Sequence, residues 1–129
     1  MTYLFLLSRV LFGGFFISNG INHFRRFEAM TQYSAYKKVP APKLAVLGSG
    51  ALILVSGLSI ILGLYPNLGA WGIILFLVPT SLMMHNFWTE TEPDKKMNSY
   101  INFTKNVALI GGALAYLFIA TPWAISLTF

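Results

Sequence analysis

The residues with chemistry to offer are few, and they fall at the ends of apolar runs. Asn19, Asn22 and His23 close one run, His85-Asn86-Phe87-Trp88 closes another, and Asn102-Phe103-Thr104-Lys105-Asn106 opens a third. Imidazole can ligate haem iron axially or hydrogen-bond a quinone carbonyl. The plainest role for His23 and His85 is an interfacial one, bonded to neighbouring amides. Contact with a quinone or a lipid comes next, and haem last. Zinc needs further ligands, and only Asn and Lys residues stand nearby. Lys105, near the start of a helix, adds to the positive end of the helix dipole. That is unfavourable unless an anion, such as a lipid phosphate or a ligand, lies close, although a lysine in this place most often snorkels to the interface.

The elements that must position these groups follow from composition. The 129 residues are 56% hydrophobic and 10% charged, where soluble domains carry about a quarter charged residues. Apolar segments are expected at residues 2–22, 43–64, 68–88 and 101–128. About 20 helical residues span the roughly 30 Å hydrocarbon core. The expected fold is therefore an all-α integral membrane protein: four transmembrane helices in one antiparallel bundle. A link at 24–42 has Phe24, Phe27, Met30, Tyr33 and Tyr36 at helical spacing among Arg25, Arg26, Lys37 and Lys38. It is expected to form an amphipathic interfacial helix. Pro40-Ala41-Pro42 ends it, since proline disfavours helix at the residue before it.

The formal net charge is +5, but the basic residues flank apolar runs and do not line a folded surface, so a nucleic-acid partner is not expected. The absence of cysteine excludes disulfides, thiol chemistry, iron–sulfur clusters and cysteine-ligated zinc. No basic region precedes the first apolar run and no small-residue cleavage pattern follows it, so this segment is expected to be retained. Gly111-Gly112 follows no strand and makes no nucleotide fingerprint.

Eight of the nine basic residues lie in or beside the two long links, at 24–42 and 89–100; Arg9 is the exception. The positive-inside rule then puts those links in the cytoplasm and both termini outside. Asn19, Asn22, His23, His85, Asn86, Asn102, Lys105 and Asn106 are thereby expected at one depth, near the cytoplasmic face. Arg9 lies in the first span, on the other side from all four acids. A charge at that depth costs about 2.5–3.5 kcal/mol unless it finds partners. Snorkelling or bonding to helix carbonyls is the plain expectation; an anionic ligand or an acid from another subunit is the functional one.

These residues carry a resemblance. Arg9 with Gly13-Gly14, Ser18-Asn19-Gly20-Ile21-Asn22-His23-Phe24, Val39-Pro40-Ala41-Pro42, the Gly57/Gly63 spacing, His85-Asn86-Phe87-Trp88, Asn102-Phe103-Thr104-Lys105-Asn106 and Gly111-Gly112 resemble the DoxX family of small four-helix membrane proteins. The resemblance implies a bacterial inner-membrane protein. Some members are linked to redox systems, among them a quinone-reducing, thiosulfate-oxidising complex and a membrane complex handling oxidative stress. Related sequences often carry a glutamate just before the glycine pair of the second span. Ile53 is the nearest position here, with Ser56-Gly57 as the pair, and this puts any function needing that carboxylate in doubt.

The functional expectation is an auxiliary subunit of a larger, redox-linked membrane assembly, non-catalytic on its own. It binds a quinone or lipid through His23, His85, Asn86, Lys105, Asn106, Asn19 and Asn22, with Arg9 a separate candidate, and its partners are membrane lipids and other membrane subunits. The alternatives are a carrier of a small hydrophobic or anionic molecule and a cofactor-bearing membrane oxidoreductase.

Overall fold

The computed structural model describes residues 1–127. It is helical throughout: α1 Thr2–Arg25, α2 Phe27–Tyr36, α3 Pro42–Leu62, α4 Pro66–Met83, a 3₁₀ turn Phe87–Thr89 and α5 Pro93–Leu117. Proline opens α3, α4 and α5, where its missing N–H would have had no helical partner anyway. Among the described residues, three stretches are long and apolar enough to cross a membrane: Thr2–Arg25, Pro42–Leu62 and Pro66–Thr89.

The helices pack in the order α1, α3, α4, α5, with α2 laid against α3. Glycines set the closest approach. A Cβ on Gly13 would stand 2.6 Å from the Gly57 carbonyl oxygen, and one on Gly57 would stand 2.6 Å from that of Gly13. One turn-pair further along, a Cβ on Gly20 would meet the Gly50 carbonyl at 2.9 Å. Backbone against backbone is how helices gain dispersion contact where lipid removes the hydrophobic drive. Between α1 and α5 the spacing is wider and aromatic side chains fill it. Phe12 meets Phe16 and Tyr116 at ring separations of 5.2 and 5.1 Å, and the Ser8 and Tyr116 hydroxyls are 2.7 Å apart. Phe16, Ile53, Ile60, Ala70, Ile73, Leu77, Ala113, Tyr116 and Trp123 form the buried core.

The last apolar segment departs from expectation. Its helix starts at Pro93 instead of 101 and stops at Leu117 instead of running on toward Thr128, which lies outside the described residues. The early start has a local cause: Pro93 at the first helical position and Asp94 in the first turn both favour a helix N-terminus. The early stop has a tertiary one. Residues 118–127 turn back over the end of α3: the Trp123 indole donates to the Ile119 carbonyl at 3.3 Å, and the Leu127 N–H donates to the Leu62 carbonyl at 2.8 Å. The apolar part of α5, 107–117, is about 16 Å long at the helical rise. It is shorter than a hydrocarbon core, and α5 is not among the three spanning stretches.

Arg9 explains why the chain turns back there. It is 0% exposed. Its Nε donates to the Ile60 carbonyl at 3.1 Å, its Nη2 to the Ile61 carbonyl, and its Nη1 to the Ala124 carbonyl at 2.7 Å. The last four carbonyls of a helix have no partner inside it, and lipid offers none. Here Ser59 is bonded by the Gly63 and Leu64 N–H groups, Ile60 and Ile61 by Arg9, and Leu62 by Leu127. The guanidinium lies between Phe5 and Trp123, 5.6 and 5.5 Å from their ring centres, a cation–π arrangement. Arg9 thus caps α3 and anchors the tail, which realises the carbonyl-bonding expectation. Gly63 makes the turn possible: its φ is +70°, and a Cβ would meet Ser126 Cβ at 2.5 Å.

Candidate functional site

At the end of the bundle away from Arg9, a cavity of about 460 Å³ opens among all five helices. Phe15, Phe16, Asn19 and His23 come from α1, Met30, Tyr33 and Ser34 from α2, Val46, Ser49 and Leu52 from α3, Phe76, Leu77 and Thr80 from α4, and Lys105 and Asn106 from α5. Met84 and His85 enter from the loop after α4. Most of the wall is hydrocarbon, and the polar groups are isolated points on it, the usual make-up of a small-molecule site.

His23 is placed by its own helix. Its Nδ1 donates to the Asn19 carbonyl, 2.7 Å away and one turn back, and Phe76 meets the ring edge-on at 5.8 Å. The Asn19 side-chain amide is turned away, donating to the Phe15 carbonyl at 2.8 Å.

His85 is placed by an aromatic cluster beyond it. Phe87 packs edge-to-face on Trp88, Tyr100 and Phe103, with ring separations of 5.3, 5.1 and 5.4 Å. This holds the 3₁₀ turn on α5. The Thr89 hydroxyl donates to the Asn86 carbonyl at 2.9 Å and closes the loop.

Asn106 is 4% exposed, yet no hydrogen bond joins its amide to another described residue. Lys105 stands further out. Its ammonium lies 3.2 Å from Asn102 Oδ1 and 5.6 Å from the centre of the Phe15 ring.

Of the expected site residues, Asn19, His23, His85, Lys105 and Asn106 line this one cavity. Three do not. Asn22 shares the helix side of Asn19 and His23 only roughly, and its side chain is exposed. Asn86 faces away and accepts a hydrogen bond from Lys37 at 2.8 Å. Arg9 is at the other end of α3. Metal-ligating groups do not cluster: among the described residues, no three His, Cys, Asp or Glu side chains come together.

Sequence reasoning passed over Lys37, Ser34, Tyr33 and Glu90. Lys37 Nζ lies 2.7 Å from Glu90 Oε1 and fastens the end of α2 to the loop after the 3₁₀ turn. Ser34 is buried on the cavity wall. Nothing in local spacing distinguishes Lys37 from Lys38, or Ser34 from an ordinary polar residue on an amphipathic helix. The role of Lys37 is set by partners about fifty residues away.

The family model for DoxX matches residues 4–86. The match covers α1 to α4 and ends in the loop that carries His85 and Asn86, before the α5 residues of the cavity. Neither the curated proteins nor the solved structures contain a match. The chain belongs to the DoxX family. With three apolar stretches of spanning length, it is a small, multi-pass integral membrane protein.

Proposed function

We propose that this protein binds an amphiphilic small molecule, of the class of a membrane quinone or a lipid, in the cavity among α1 to α5. We further propose that it serves as an auxiliary subunit of a larger, redox-linked membrane assembly. The observation that carries the binding reading is the meeting of His23, His85, Lys105 and Asn106 on one cavity whose remaining wall is mostly apolar. They come from three separate parts of the chain. A headgroup with a few polar atoms would meet them, and its body would lie against Phe16, Leu52, Phe76 and Leu77.

The subunit reading rests on the exposed aliphatic and aromatic faces of the helices and on family resemblance, and the redox link on resemblance alone. In this reading the apolar part of α5 and the tail at 118–127 make the fourth crossing. The links holding α2 and the 3₁₀ turn then face the cytoplasm of a bacterium, since they carry nearly all the basic residues, and both termini lie outside.

Thermal unfolding of the detergent-purified protein tests the binding reading. A short-tailed ubiquinol analogue or a lysophospholipid should raise the midpoint, while an alkane of matched length should not. Stabilisation by the alkane to the same extent would contradict a headgroup site. For the subunit reading, gentle purification should retain one stoichiometric partner that loses stability when this chain is deleted. A lone monomer with no dependent partner would contradict it.

A further inference from the structure

We infer that the cavity ligand presents a hydroxyl group that donates a hydrogen bond to Nε2 of His23, so that the site takes a hydroquinone-type or alcohol headgroup in preference to one with carbonyls alone. The inference rests on the amphiphile-binding reading above and specifies the headgroup.

The argument starts from one bond. His23 Nδ1 is 2.7 Å from the Asn19 carbonyl oxygen. A carbonyl oxygen only accepts, so Nδ1 carries the proton. In the neutral ring Nε2 is then a bare acceptor. No described residue donates to it, although His23 is only 6% exposed and forms part of the cavity wall. Phe76, edge-on at 5.8 Å, restrains the plane of the ring. The fold therefore presents an acceptor to the cavity.

A quinone or ester carbonyl placed there would set lone pair against lone pair. A hydroxyl would complete the bond. Sites built to pair with a substrate hydroxyl reject analogues lacking it, because the buried partner is left unpaired. Asn106 extends the pattern. The residue is 4% exposed and lines the same cavity, and its amide offers both a donor and an acceptor. A hydroxyl, which both gives and accepts, suits this pair better than a group that only accepts.

Two sources supply such a hydroxyl, a reduced quinone and a glycerol-type lipid headgroup, and binding measurements separate them. The full chain in detergent is titrated, under reducing and oxygen-free conditions where needed, with four probes sharing a ten-carbon tail: a hydroquinone, its dimethyl ether, the corresponding quinone and monodecanoylglycerol. The hydroquinone is expected to bind at least tenfold more tightly than the ether and the quinone, and His23→Phe is expected to bring the three affinities together. Tighter binding of monodecanoylglycerol with the same dependence on His23 also supports the hydroxyl assignment and makes the ligand a lipid. Equal affinity for hydroquinone and ether in the wild type overturns the assignment and leaves the amphiphile site standing. Binding of none of the four overturns both. Should His23→Phe fail to fold, ¹⁵N NMR of histidine-labelled wild type, assigned with His85→Ala, decides. An unprotonated Nε2 that shifts with hydroquinone supports the assignment, and a protonated Nε2 in the free protein overturns it.

Discussion

The ammonium of Lys37 and the carboxylate of Glu90 meet at 2.7 Å with their side chains 5% and 12% exposed. The pair joins the end of α2 to the loop after the 3₁₀ turn. Asn86 Oδ1 accepts a second bond from the same ammonium at 2.8 Å, and the rings of Tyr33 and Tyr36 lie 5.8 and 5.9 Å from it. Two charges withdrawn from water hold each other in place, and each becomes a liability if the other is removed.

Removing one partner of a buried ion pair costs about 3–5 kcal/mol, because an uncompensated charge remains. Glu90→Ala should therefore lower the thermal midpoint strongly and loosen α2. Lys37→Met with Glu90→Leu together should recover most of the loss. Thermal unfolding of Glu90→Ala, Lys37→Met and the double variant checks this. Single variants as stable as wild type would show that the pair is not closed in the folded protein.

The glycine seam between α1 and α3 gives a paired prediction. Gly13→Ala places a methyl 2.6 Å from the Gly57 carbonyl oxygen and should destabilise by about 1–3 kcal/mol, the usual cost of overpacking. Gly14→Ala, one residue along, meets nothing within 4 Å. It should stabilise the helix by about 0.5–1 kcal/mol, since glycine carries the greater entropy loss. Equal midpoints for the two variants would mean that α1 and α3 do not approach as described.

Arg9 bonds carbonyls on two separate parts of the chain, the end of α3 and the tail. Hydrogen bonds from a charged donor are worth about 1.5–3 kcal/mol each. Arg9→Lys keeps the charge but cannot reproduce the planar fork. It should release the tail, seen as faster proteolysis within 118–127 and a shift in Trp123 fluorescence. A tail as resistant as in the wild type would contradict the capping role.

Much of this was legible in the sequence. The apolar runs located α1, α3 and α4. The order of the apolar runs sets His23, His85 and Lys105 at the ends of their segments, and all three line one cavity. What escaped was set by distant partners. The turning back at Leu117 depends on Arg9 and Trp123, which periodicity does not connect. Asn19, Asn22 and His23, at i, i+3 and i+4, share a broad helix side. The buried stripe is narrower than that, and Asn22 falls outside it. Asn86, adjacent to His85, is turned away by its bond with Lys37.

His85→Ala and Lys105→Ala, on different elements, should share one phenotype: weaker binding of the same ligand with little change in unfolding midpoint. Ligand titration beside thermal unfolding reads both. Unrelated effects, or none, would reduce this end of the bundle to interfacial packing.

The claim that the cavity is a ligand site is tested most directly by native mass spectrometry of the protein released from gentle detergent, compared with Ala45→Phe, which places a ring at the cavity wall. The account predicts that the wild type retains a bound amphiphile of one mass and that the folded variant has lost it. A wild type carrying nothing, or a variant carrying the same molecule to the same extent, would contradict it.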